Sequence, residues 1–210
     1  MLIRRLLWSA ALAALVLALS ACGGSDSDGS ASTSPTTSES AVDDWVPPVL
    51  SEGPAAPGPC PSAAPAQGGA PEWTLKGATG SVAVTGSTDT AAPKVEVTAP
   101  FSVTETQVKT LHRGDGPVVG TAASVSVCYL GVNGRDGTVF DSSYAQGQPV
   151  DFRLDGVVPG FQKAIAGQQV GSTVAVAMVP ADGYPEGQPS AGILPGDTLI
   201  FAIKILNATA

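Results

Sequence analysis

The sequence predicts an α+β fold: an antiparallel β-sheet of five or more strands covered by one short α-helix, preceded by a disordered tether. Three observations predict it. Nearly every ordered stretch reads as a strand, with residues 121–132, 171–179 and 198–206 rich in β-branched and apolar side chains over strand-like lengths. One stretch alone has helical spacing, where Phe161, Ala164 and Ile165 fall at i, i+3 and i+4. Finally, much of the first third is Ser, Thr, Ala, Pro and Gly with scattered acids. Such a composition buries too little apolar surface to offset its chain entropy.

The first 21 residues read as an export signal. Arg4 and Arg5 form a positive start, and residues 6–19 form an apolar run too short for a comfortable membrane span. The run ends in Leu19-Ser20-Ala21-Cys22, which resembles a bacterial lipobox, so Cys22 is the expected lipid attachment site. An ordinary cleaved signal with a chance cysteine is the alternative, and the arginine pair leaves Sec and twin-arginine export both open. Residues 22–71 are then a lipid-anchored linker, which would place the protein on the extracytoplasmic face of the cell membrane. About 50 residues of flexible chain span roughly 35–40 Å. Trp45 interrupts this stretch and either docks on the folded part or stands exposed.

Charge narrows the partners. The formal net charge is −8 with 13% charged residues. Loss of residues 1–21 removes two arginines and no acid, leaving −10. No basic cluster exists beyond the N-terminus, which argues against nucleic acid. His112 is the only histidine and sits in a Gly/Pro turn, so neither a metal site nor a histidine-based triad is expected, and no cofactor is. With Cys22 lipidated, Cys60 and Cys128 remain; outside the cytoplasm they either pair in a disulfide or stand as free thiols.

Residues 72–100 contain two alternating stretches, 81–85 and 94–98, that read as a β extension. They either join the main sheet or form a separate unit. Residues 101–111 read as a further strand and 112–117 as a turn. Strand 121–132 places Cys128 on the face opposite Val125, Val127 and Tyr129. A hairpin loop follows at 133–137. Asp141 stands beside Phe140, and Asp141, Ser142 and Ser143 suit the capping of a turn. In residues 149–154, Val150, Phe152 and Leu154 share one face. Pro159 suits the first helical turn and Gly167 the helix stop. The loop 180–197 carries Tyr184, Ile193 and Leu194, apolar residues that must cover something.

Five separated blocks carry a family resemblance: Val127-Cys128-Tyr129-Leu130-Gly131, Phe140-Asp141-Ser142-Ser143, Val157-Val158-Pro159-Gly160-Phe161, Tyr184, and Ile193-Leu194-Pro195 with Thr198-Leu199-Ile200-Phe201. In order and spacing, residues 101–207 resemble the FKBP-type peptidyl-prolyl cis-trans isomerases. The resemblance implies a curved antiparallel sheet wrapped around the short helix, with a pocket between them. It implies isomerisation of X–Pro bonds in unfolded or exported polypeptides, possible inhibition by macrolides, and a monomer. By resemblance, Asp141, Phe161, Tyr184 and the Val158 backbone N–H are the catalytic groups, with Phe161 as the pocket floor. Tyr129, Phe140, Val150, Val157, Ile193 and Phe201 are the substrate-binding wall. Val150 stands where many members have Phe, Phe161 where many have Trp, and Pro185 replaces a usual Gly. A non-catalytic Pro-peptide-binding chaperone or envelope assembly module of the same fold is the alternative reading.

Overall fold

The computed structural model describes residues 60–64 and 70–210. The export signal, Cys22, Trp45 and most of the linker lie outside the described residues. Two sheets are stacked. The first is three-stranded, with β1 (Trp73–Lys76), β2 (Thr79–Thr85) and β3 (Lys94–Ser102) in that order, all antiparallel. The second is six-stranded: β4 (Gln107–His112), β5 (Ser124–Asn133), β6 (Val139–Ser142), β7 (Val150–Arg153), β8 (Thr173–Met178) and β9 (Leu199–Thr209). Its spatial order is β4-β8-β9-β5-β6, with β7 also on β5. A single-turn helix α1 (Ser143–Gln146) follows β6, and α2 (Pro159–Ile165) is the helix that covers the sheet.

The central strands show why the molecule has two layers beside the helix. All six residues of β8 are buried, and so are the first five of β9. Side chains alternate across a strand, and here size alternates with them. Val174, Val176 and Met178 face the core under α2, whereas Ala175 and Ala177 face the other way. On β9, Leu199, Phe201, Ile203 and Ile205 join the first core, and Ile200 and Ala202 the second. The small residues on the back face admit Val82, Val84 and Phe101 of the three-stranded sheet. Residues 73–102 are therefore a separate sheet packed on the back of the main one.

The expected strand over 101–111 divides. Phe101 and Ser102 finish β3, with Phe101 N–H donating to the Gly134 carbonyl (2.7 Å), and β4 starts only at Gln107. Between them the chain crosses from one sheet to the other. Thr106 is spent in this crossing: its hydroxyl donates to Asp182 (2.5 Å) and accepts the Val179 N–H (3.3 Å).

Helix α2 begins where Pro159 fixes φ at the first turn. Gly160 follows because a Cβ there would lie 2.8 Å from Met178 Cβ and Sδ. That contact brings the helix close enough to β8 to bury Phe161, Ala164 and Ile165. Ser142 N-caps α1 by accepting the Ala145 N–H (3.3 Å), so the turn expected after Asp141 is a capped helical turn.

Cys60 and Cys128 form a disulfide across 68 residues, with both cysteines buried. It straps the segment around Cys60 over the outer face of β5, beside Tyr144. Tyr144 donates to Ser87 (2.9 Å), and its burial pushes the phenol pKa up to about 12. The Ala92 N–H donates to the Ala63 carbonyl (2.8 Å). Phe101 is the largest fully buried side chain of the back sheet. Phe101→Ala is expected to cost about 3–5 kcal/mol, read as a lowered urea midpoint at unchanged m-value.

Candidate active site

Four strands, one helix and one loop bring the candidate residues to a cavity of about 420 Å³ between α2 and the front of the main sheet. Phe161, on α2, is the hub. Its ring meets Phe201 of β9 at 5.2 Å and 86°, Phe152 of β7 at 5.2 Å and 65°, and Tyr129 of β5 at 5.8 Å and 87°. Phe140 of β6 meets Phe201 at 5.4 Å and 88°. Edge-on pairs at this spacing are favourable beyond area burial, because a positive ring edge meets a negative ring face. Gly131 makes the cluster possible: a Cβ there would lie 2.7 Å from the Phe140 ring and 3.0 Å from Phe201.

One edge of the cavity is polar. Tyr129 donates its hydroxyl to Asp141 Oδ2 at 2.5 Å. Burial, then the hydrogen bond to Asp141, holds the Tyr129 phenol well above its ordinary pKa. Val157 and Val158 supply apolar wall as the chain enters α2, and Val150 does so from β7. The first N–H groups of a helix have no intrahelical partner, which leaves the Val158 N–H at the N-cap free of the helix ladder. Tyr184 closes the other side; among the described residues its hydroxyl has no hydrogen-bond partner.

Nine of the ten residues that the resemblance singled out line this cavity: Asp141, Phe161, Tyr184, Val158, Tyr129, Phe140, Val150, Val157 and Phe201. Ile193 does not. It is 1% exposed and packs in the core, while its backbone exchanges hydrogen bonds with Gln188 (2.8 and 3.1 Å). Phe152 and Gly156 line the cavity without having been singled out. Phe152 was reachable, since it alternates with Val150 on the same strand face.

Two carboxylates fix the loop that carries Tyr184. Asp197, 8% exposed, accepts from Asn133 Nδ2 (2.6 Å) and from the Leu194 N–H (2.8 Å), with Arg135 Nε at 3.8 Å. Asp182, two residues before Tyr184, accepts from Lys163 of α2 (2.7 Å) and from Thr106. Apart from the local Leu194 bond, these bonds were not visible in the sequence, because the partners lie 19 to 76 residues apart. Among the described residues no cluster of three His, Cys, Asp or Glu side chains is placed to hold a metal ion.

Fold and cavity together match what the resemblance implies: an antiparallel sheet, a short helix across it and an aromatic-walled pocket between them. Comparison with known proteins agrees. Residues 116–206 match the family model for FKBP-type peptidyl-prolyl cis-trans isomerases. The chain is 32% identical over 117 residues to a probable FK506-binding protein of Corynebacterium glutamicum, covering 55% of this chain and 98% of that one. It is 36% identical over 101 residues to the FKBP-type 22 kDa peptidyl-prolyl cis-trans isomerase of Escherichia coli, covering 48% of each. It is 38% identical over 102 residues to the outer membrane protein MIP of Legionella longbeachae, covering 48% of this chain and 43% of that one. The chain belongs to the FKBP-type peptidyl-prolyl cis-trans isomerase family, and it spans about half the length of the E. coli relative.

The hydrogen bonds from Lys163 and Thr106 hold the Asp182 carboxyl below its ordinary pKa. A group whose folded pKa is depressed stabilises the fold above its unfolded pKa and loses that contribution as pH falls through the folded one. Asp182→Asn is therefore expected to destabilise the protein at neutral pH. The gap between variant and parent should close below about pH 4, as read by thermal melts across pH.

Proposed function

We propose that this protein is a peptidyl-prolyl cis-trans isomerase that acts on X–Pro bonds of exported polypeptides from a lipid-anchored position outside the cytoplasm. The observation that carries the reading is the Phe161 floor: one ring, met edge-on by three others, beneath a cavity sized for a proline and its neighbours. The lipobox-like Cys22 and the tether length support the anchor. A relative named as an outer membrane protein and the Cys60–Cys128 disulfide are in keeping with an oxidising, extracytoplasmic compartment.

The chemistry needs no nucleophile. Rotation about the X–Pro bond faces a barrier of about 18–20 kcal/mol from amide resonance. As the bond twists it loses conjugation and becomes less dipolar. Water stabilises the planar amide more than the twisted one, so an apolar pocket lowers the barrier by favouring the twisted state. In this reading the proline ring lies against Phe161, between Val150, Val157, Phe140 and Phe201. The Tyr184 hydroxyl and the Val158 N–H hold the flanking carbonyls, and the Tyr129–Asp141 pair fixes the polar rim. Each tenfold in rate takes only about 1.4 kcal/mol of preference for the twisted state. A macrolide would bind in the same pocket, by competing for the proline position.

A protease-coupled assay on a proline tetrapeptide tests this directly. The parent should accelerate isomerisation. Phe161→Leu and Asp141→Asn should each lose roughly tenfold in kcat/KM, about 1.4 kcal/mol, with the circular dichroism spectrum unchanged. Binding of the peptide without acceleration by the parent would instead make the domain a proline-binding chaperone module.

A further inference from the structure

The partner of β5 changes in mid-strand. β7 pairs with residues 124–127 and β6 with residues 130–132, so the stretch between them has no neighbouring strand on that side. Tyr129 sits in this gap. Its backbone N–H and carbonyl would be unpaired there, and buried unpaired backbone groups are rare because each forfeits a hydrogen bond to water. Ser143 fills the gap. It is 1% exposed, and its hydroxyl accepts the Tyr129 N–H at 2.8 Å and lies 3.4 Å from the Tyr129 carbonyl oxygen as donor. One side chain thus takes the place of the missing strand residue.

Behind Ser143 stands the disulfide. Cys60 Sγ is 3.6 Å from Ser143 Oγ, and both residues are buried. A disulfide sulfur cannot donate, so the single Ser143 proton is shared between that sulfur and the Tyr129 carbonyl. Tyr144, next in the chain, is tied to Ser87 beyond β2. The strap that ends the tether therefore closes the back of the corner whose front carries Tyr129 and Asp141.

We propose that Ser143, backed by the Cys60–Cys128 strap, is a positioning residue that sets Tyr129 against Asp141 across the break in β5. This rests on the reading of the pocket as the isomerase site. Ser143 does not face the cavity; it acts by fixing the backbone from which the Tyr129 phenol reaches Asp141. The strap fixes Ser143 in turn, so the segment around Cys60 is part of the site's support as well as the end of the tether.

A double-mutant cycle tests the proposal: kcat/KM on the proline tetrapeptide for the parent, Ser143→Ala, Tyr129→Phe and the pair, well below the melting temperature. Ser143→Ala should lose about tenfold, Ser143→Thr should recover most of it by keeping the hydroxyl, and the pair should be no worse than Tyr129→Phe alone. Losses that multiply, or full activity in Ser143→Ala, would overturn the proposal. If Ser143→Ala does not fold, Cys60→Ala/Cys128→Ala takes its place in the cycle under the same criterion. Near-ultraviolet circular dichroism supplies a readout independent of turnover. The tyrosine band missing from Tyr129→Phe should weaken in Ser143→Ala, and an unchanged band counts against positioning. A parent without isomerase activity would sink the functional reading alone, and the circular dichroism band would still decide the role of Ser143.

Discussion

The site depends on one aromatic contact set, the edge-on packing of Phe161 against Phe201, Phe152 and Tyr129. Those four rings come from α2, β9, β7 and β5; β5 is hydrogen-bonded to both β9 and β7, and the ring contacts tie the helix to that sheet. Offset rings at 5 to 6 Å define a direction as well as a distance. The helix cannot rotate without losing three contacts at once. Gly160 against Met178 and Gly131 against Phe140 set how closely these elements approach, and in both places a methyl group would collide. The pocket is thus a by-product of how the helix closes the sheet.

Behind the sheet the economy is different. A strand buried on both faces carries apolar residues on both, and residues 174–178 of β8 and 199–203 of β9 do, with large side chains toward the helix and several small ones toward the back sheet. The three-stranded sheet and the disulfide strap shield that second face from water. The consequence for function is rigidity: the strands that carry Tyr129 and Phe201 are held from both sides. A pocket that works by excluding water and preferring one shape of the substrate gains from a scaffold that does not yield.

Acidic residues serve as fasteners around the loop that carries Tyr184. Asp197 joins it to the β5–β6 hairpin, and Asp182 joins it to α2 and to the crossing between the sheets. Asp141 is the acid that faces the cavity. An acidic chain thereby uses carboxylates in two ways, accepting several donors each where they fasten and a single phenol where they shape the rim.

By itself the sequence determined the strand series, the single covering helix and the order of the pocket blocks. These are local: alternation, i/i+3/i+4 spacing and turn residues act over a few positions, and Phe161, Pro159 and Gly160 declare themselves within one turn. The pairing of Cys60 with Cys128 was left open because residues 68 apart in sequence carry no mutual signal. The same holds for the back sheet. Alternation in residues 81–85 and 94–98 marks strands, yet nothing local says whether they extend the main sheet or stack upon it. Only the tertiary structure decided that, by setting the alanines of β8 and β9 against Val82, Val84 and Phe101. It also decided that Ile193 belongs to the core and Phe152 to the cavity, and that Ser143 answers a gap between strands. A gap of that kind exists only once two strands have paired with a third and left a residue between them.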